Sequence, residues 1–285
     1  GGRLRFMLVG SAPMEGYILN FLRVSLSVEI MEGYGQTEDV AGVLLSNTCD
    51  PITGHLGGPG YWSEIKLVDQ PELGYTCKNV DENGNPRPSG ELCVRGPTLF
   101  KGYFRDEEKT KETIDKDGWL HSGDIASIIP KHGNAMKIVD RVKNIFKMQQ
   151  GEYISPEKIE NIYSNCKYIE QIFVHGNSLK SYLICIVYPK VNDIIDFFKN
   201  KGIQDINKNN AKDYYENDEL KKEIINVMDK FGREKNLMGF ELPKKIYLVK
   251  EPFSIENQIM TPTMKLRRHF AKKFFEEQIN KLYEE

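Results

Sequence analysis

No two cysteines in this sequence are spaced as CxxC. The five, Cys49, Cys77, Cys93, Cys166 and Cys185, are scattered and odd in number. Neither a disulfide scaffold nor a zinc site is suggested, and a reducing, intracellular compartment fits better. Long apolar runs are missing too: the longest, such as Tyr182 to Tyr188, are strand-sized, so this stretch of chain does not span a membrane. Nor is there an excess of one charge. With 39 Lys and Arg against 41 Asp and Glu, nothing points to nucleic acid as a partner, and an acidic ligand would need a local site. Internal repeats and a signal peptide are also absent. The opening Gly1-Gly2-Arg3-Leu4-Arg5 leads straight into the apolar run Phe6 to Val9, which reads as a fragment boundary inside a domain.

What is present suits a folded protein. The 285 residues are 40% hydrophobic and 11% aromatic, enough for one large core or two smaller ones, and two units are expected.

Residues 5 to 9 predict a short buried strand, followed by the turn Gly10-Ser11-Ala12-Pro13 and a helix over Glu15 to Leu26. A second strand, Val28 to Met31, leads into Glu32-Gly33-Tyr34-Gly35-Gln36-Thr37-Glu38. Between 52 and 140 the texture becomes β-rich, with segments at Glu64 to Val68, Gly90 to Arg95, Ile125 to Ile129 and Met136 to Val139 between Gly, Pro, Asn and Asp turns. A small twisted sheet or barrel is expected there. After Asp140 the sequence turns Lys-, Asn- and Glu-rich, with a helix start at Ser155-Pro156-Glu157 and a strand pair near Ile169 to Val174 and Tyr182 to Val187. An exposed helix and loop over Lys199 to Asp218 precede helices over Leu220 to Arg233 and Leu266 to Tyr283. The fold class is thus α/β followed by a compact α+β domain.

Several segments can carry chemistry. In Tyr34 to Glu38 a ring can stack on a base, the glycines let backbone approach a phosphate, Thr37 can bond phosphate oxygen and Glu38 can hold Mg²⁺. Taken alone, the segment is read more simply as a turn with a solvated glutamate. Gly10 to Pro13 is small and ends a strand, where α/β sheets bind ligands, though a plain connecting turn would look the same. In Asp117-Gly118-Trp119-Leu120-His121-Ser122-Gly123-Asp124, Asp124 can accept from both ribose hydroxyls or cap a turn; His121 is read as structural, beside Trp119, rather than as a base. Arg141 can bond the ribose or α-phosphate region as a fixed cation. Lys143 sits where a hinge would absorb rotation. In Thr261-Pro262-Thr263-Met264-Lys265, the lysine can stabilise charge spreading from a carboxylate onto a phosphate, or simply be solvated.

Taken in order, these pieces resemble the acyl-CoA synthetase, luciferase and peptide-synthetase adenylation superfamily. The order is a small-residue turn, Tyr34-Gly35-Gln36-Thr37-Glu38, Gly90-Glu91-Leu92 with Gly96-Pro97 and Gly102-Tyr103, Asp124, Asp140 to Lys143, and a late lysine. Asp117 to Asp124, Lys137 to Arg141 and Gly151 to Glu160 are similar to the long-chain fatty acyl branch. The resemblance implies that residues 1–141 end a large AMP-binding domain, with an α/β unit over 1–51 and a β-rich subdomain over 52–141. Residues 142–285 would form a mobile C-terminal domain, hinged near Lys143. It implies that Ser11, Ala12 and Pro13 line the adenine pocket and Tyr34 stacks on the base, with Gly33, Gly35 and Gln36 around it. Thr37 would contact phosphate, Glu38 hold Mg²⁺, Asp124 and Arg141 bind ribose, and Lys147 and Tyr153 lie near the nucleotide. Lys265 would be the adenylation lysine, acting with Thr37 and Glu38.

The implied activity is ATP-dependent activation of a long-chain fatty acid to its acyl-CoA through an acyl-adenylate, with CoA as co-substrate. The implied location is cytoplasmic, or the cytoplasmic face of the endoplasmic reticulum or another membrane, with membrane association of a longer protein left open. No Ser/Thr/Gly-rich phosphate loop occurs in the chain, so these residues alone are expected to be inactive. The competing expectations are another acyl- or aryl-CoA ligase of the superfamily, or a nucleotide-binding module without catalysis.

Overall fold

The computed structural model describes residues 2–11, 14–48 and 50–284. It divides into two compact units, Gly1–Lys143 and Asn144–Glu285.

The first unit begins with β1 (Phe6–Val9), α1 (Gly16–Leu26) and β2 (Glu29–Tyr34). β1 and β2 pair in parallel with Phe6 opposite Glu29 and Val9 opposite Glu32. The strand predicted as buried is not: Phe6 and Leu8 are each 59% exposed, and Tyr17, Phe21 and Val24 of α1 are more so. Their apolar side chains have the pattern of a core face, but no described segment of the unit packs over it. Short strands β3 (Leu44–Leu45) and β4 (Gly58–Pro59) extend this sheet antiparallel.

A second, open sheet follows, with β5 (Glu64–Val68), β6 (Ser89–Arg95), the helix α2 (Glu107–Thr113), β7 (Leu120–Ile129) and β8 (Ala135–Arg141). The strand order is β5-β6-β7-β8, all antiparallel, an open sheet rather than a barrel. Leu92, Val94, Leu120, Ala126 and Met136 of this sheet share one core with Val43 and Leu44. That core ties the β-rich part to the end of the α/β sheet, each large side chain contributing about 1.5–3 kcal/mol by leaving water.

The second unit opens with the hairpin of β9 (Phe146–Lys147) and β10 (Tyr153–Ile154), then α3 (Pro156–Tyr163). Ser155 occupies the N-cap and Pro156 the first turn, where its missing N–H costs nothing, although Ser155 makes no side-chain capping bond. The central sheet is β11 (Ile169–His175), β12 (Ile184–Pro189) and, after α4 (Val191–Asn200) and α5 (Asp218–Glu234), β13 (Lys245–Leu248). β12 is antiparallel to β11 and parallel to β13.

Alternation along β12 explains its unbroken apolar run. Cys185 and Val187 enter a core with Ile159 and Tyr163 of α3 and Ile224 and Met228 of α5. Ile184 and Ile186 enter another with Ala271, Phe275 and Ile279. Gly232 lets α5 approach α3, since an added Cβ would stand 2.5 Å from the Tyr163 hydroxyl.

Two expectations need correction. The segment 199–218 is not simply exposed: Ile206, Ala211 and Tyr215 are buried and anchor it. The predicted C-terminal helix is two, α6 (Arg268–Phe274) and α7 (Glu276–Glu284), broken at Phe275, which leaves helical geometry while staying buried in the core.

Candidate nucleotide and adenylation site

Because β1 and β2 are parallel and in register, their carboxyl ends emerge side by side, the edge at which open α/β sheets bind ligands. A Cβ on Gly10 would lie 3.5 Å from the Gly33 carbonyl oxygen. The turn at Ser11, with φ 68°, therefore opens beside the end of β2. Ala12 and Pro13, expected in the same pocket, lie outside the described residues.

Tyr34 ends β2, and its hydroxyl donates to Asp124 Oδ2 at 2.5 Å. Asp124 in β7 is the cross-strand partner of Arg141 in β8, whose Nε stands 3.4 Å from Asp124 Oδ1. The carboxylate is buried while the guanidinium is largely exposed. Burial, reinforced by the Asp124 charge, pushes the Tyr34 phenol far above its ordinary range, so it remains a donor. Three residues 90 and more positions apart in part are thus brought to one place.

Beyond Tyr34 the chain turns sharply. A Cβ on Gly35 would stand 2.3 Å from the Ala41 carbonyl carbon, so only glycine fits. Val40 and Ala41 both take left-handed φ, 58° and 73°, a costly pair for residues with a Cβ. Sequence reasoning missed the residue that closes this loop, Asp39. It is fully buried, and its Oδ1 accepts the Gln36 N–H at 2.8 Å. Burial, with the charges of Glu38 and Asp124 adding to it, raises its carboxyl to about 6. Asp39 holds the 3-10 turn Thr37–Asp39 that presents an exposed Thr37 and a half-buried Glu38. Glu38 Oε1 accepts from the Tyr103 hydroxyl at 2.7 Å.

These donors and acceptors fit a nucleotide with its metal. The Asp124 carboxylate can take ribose hydroxyls, Arg141 offers an adjacent fixed cation, and Tyr34 supplies a ring. Glu38 is a hard oxygen ligand of the kind Mg²⁺ uses, one carboxylate with phosphate and water completing the shell.

His121 is otherwise engaged. Its Nδ1 lies 3.2 Å from Glu91 Oε2 and 3.5 Å from Cys93 Sγ, and its Nε2 is 3.5 Å from Asp115. Trp119 is flanked by Lys66 and Arg95, 4.4 and 4.5 Å from its ring centroid, and its backbone N–H donates to the same Asp115 carboxylate that His121 approaches. Glu91, Cys93 and His121 bring ligand atoms within 4.8 Å of one another. Cross-strand register makes this cluster, which no linear spacing shows. Glu91 is already bonded, by Gln70 Nε2 and the Gly123 N–H at 3.2 Å each.

Lys143 is exposed and ends the first unit. In the second, Lys147 and Tyr153 are cross-strand partners, the ammonium 5.1 Å from the ring centroid. The Lys265 loop is closed on itself: the Thr261 N–H donates to the Lys265 carbonyl at 2.8 Å and the Lys265 N–H to Thr261 Oγ1 at 3.0 Å. The Lys265 side chain is exposed and, among the described residues, has no ion-pair partner.

Residues 1–104 match the AMP-binding enzyme family. The fold is that of adenylation domains: the A domain of carboxylic acid reductase from Segniliparus rugosus, solved in complex with AMP and a co-purified carboxylic acid, superposes with a TM-score of 0.80 at 30% identity, over 99% of this chain and 40% of that one. In sequence and in fold the chain is similar to the adenylate-forming enzymes over its whole length. Over 285 residues it is 44% identical to long chain acyl-CoA synthetase 7, peroxisomal, of Arabidopsis thaliana. It is 43% identical over 284 residues to long-chain-fatty-acid–CoA ligase 6 of Mus musculus. It covers 100% and 99% of itself in these matches and 39% of each relative's length.

Proposed function

We propose that the chain supplies the nucleotide grip and the adenylation lysine of an ATP-dependent long-chain fatty acid–CoA ligase. The observation that carries this reading is the meeting of Tyr34, Asp124 and Arg141 at the carboxyl end of the parallel strands. Residues 1–141 act as the end of the nucleotide-binding domain and residues 142–285 as a domain that turns about Lys143.

In the proposed reaction a fatty acid carboxylate oxygen attacks the α-phosphorus of ATP, the bond to the β-phosphate breaks, and pyrophosphate leaves. The CoA sulfur then attacks the acyl carbon, the thiol proton is lost to solvent, and AMP leaves. Asp124 and Arg141 hold the ribose, and Tyr34 trades its bond to Asp124 for a place against the base. Lys265, a cation with no ion-pair partner among the described residues, stabilises charge as it moves onto the α-phosphate. Mg²⁺ on Glu38 would neutralise the leaving pyrophosphate. Thr37 is proposed to bond a phosphate oxygen, Lys147 and Tyr153 to border the nucleotide, and Lys265 to withdraw for the thiol step. Over 39% of the length of the relatives, the chain would account for part of such an enzyme, and no Ser/Thr/Gly-rich phosphate loop is among its residues. The proposed setting is intracellular, facing a reducing compartment. No described helix is long and apolar enough to cross a membrane.

The test is Lys265→Ala in the full-length protein, following each half-reaction alone. Pyrophosphate release should collapse while acyl transfer from supplied adenylate to CoA largely survives; equal losses would refute the role. Loss of the ATP-induced thermal shift in Asp124→Ala would support the nucleotide site.

A further inference from the structure

Gly102-Tyr103 stands out in the sequence without a role, and the structure places it against Glu38. Two bonds join the segments: the Phe100 N–H donates to the Glu38 carbonyl at 2.8 Å, and the Tyr103 hydroxyl donates to Glu38 Oε1 at 2.7 Å. The first fixes the backbone of Glu38, and the second fixes its carboxylate.

The ring of Tyr103 does not depend on that hydroxyl for its place. It packs edge-on against Phe100 with centroids 4.9 Å apart, Lys109 Nζ lies 4.4 Å over it, and its own N–H donates to Thr110 Oγ1 at 2.9 Å. Gly102 permits this approach, with φ 138° and only 2.7 Å between an added Cβ and the Thr110 methyl. A phenylalanine here would be held as well as a tyrosine. The hydroxyl is thus free to act on the Glu38 carboxylate, with the Thr113 side chain as its other hydrogen-bond partner.

Mg²⁺ demands near-ideal octahedral geometry, and a free glutamate must give up rotamer freedom to provide it. A carboxylate already pinned through one oxygen loses less on binding. Partners that orient a metal ligand typically account for 10–100-fold in affinity or activity.

We propose that Tyr103 is a positioning residue for the metal: its hydroxyl fixes Glu38 through Oε1 and leaves Oε2 to ligate Mg²⁺. This rests on Glu38 being the Mg²⁺ ligand.

The experiment uses the full-length protein with ATP. Mn²⁺, standing in for Mg²⁺, is titrated by electron paramagnetic resonance, the Mg²⁺ dependence of pyrophosphate release is followed, and the thermal midpoint is measured without metal. Tyr103→Phe should weaken Mn²⁺ binding and raise the half-saturating Mg²⁺ concentration about tenfold. Saturating Mg²⁺ should restore most of the rate, and the metal-free midpoint should not move. Glu38→Gln should weaken metal binding further. Wild-type metal affinity in Tyr103→Phe overturns the proposal, with or without a lower midpoint, while a loss in Glu38→Gln leaves the ligand assignment standing. If Glu38→Gln also binds Mn²⁺ as the wild type does, that assignment is what has failed, and the proposal goes with it.

Discussion

Arg268 grips Glu160 with both ends of its guanidinium, at 2.5 and 3.1 Å. The same guanidinium donates to the Val174 carbonyl at 3.2 Å, and the Val174 N–H donates to Glu160 at 2.7 Å. One network thus joins α3, β11 and the first residue of α6, three positions after Lys265. Burial pulls the Glu160 carboxyl up, against the opposing pull of Arg268.

Glu160→Gln should therefore be strongly destabilising. Both partners are mostly buried, and removing one leaves an uncompensated charge, at a typical cost of ~3–5 kcal/mol. Replacing both by methionine should recover most of that, because the desolvation cost disappears with the pair. Denaturant unfolding of the full-length protein measures the first effect. Amide exchange around residues 256–274 should quicken in the single variant; a stability loss below about 1 kcal/mol would mean that the pair carries little weight.

Asp39 predicts a defined pH window. Its carboxyl, ordinarily near 3.8, is raised to about 6 in the fold, so the native state holds the proton more tightly than the unfolded chain. The associated stability is fully present below about 3.8 and is lost as pH rises to about 6. Asp39→Asn cannot titrate there. Between pH 4 and 6 the stability gap should move in favour of the variant by at most ~1.4 kcal/mol per pH unit, and be flat above. Unfolding of both proteins across that range checks it, and a constant gap would remove the buried charge from the explanation.

Thiol reactivity should discriminate among the cysteines. Cys77 is exposed, whereas Cys93, Cys166 and Cys185 are buried. Burial raises the Cys93 and Cys166 thiols to about 12 and about 11, leaving little thiolate at neutral pH. Iodoacetamide at pH 7.5 followed by peptide mapping should label Cys77 well before these three. Early labelling of Cys93 would show that the cluster with Glu91 and His121 opens in solution.

Much of this molecule was settled by local sequence. The strand at Glu64–Val68 matches its alternating, turn-bounded segment residue for residue, and the β11–β12 pair falls where two apolar runs predict it. Ser155-Pro156 starts α3 because its conformational preferences are local. The superfamily could likewise be read from the linear order of motifs. Tertiary structure decided what those motifs touch. Antiparallel register set Arg141 against Asp124 and Cys93 against His121, and the hydroxyl of Tyr103 reaches Glu38 from 65 positions away. Whether Phe6 and Leu8 are covered was equally a matter of what packs over them. An apolar or charged side chain states a preference, but the partner that satisfies it comes from strand register and chain return, which no short window contains.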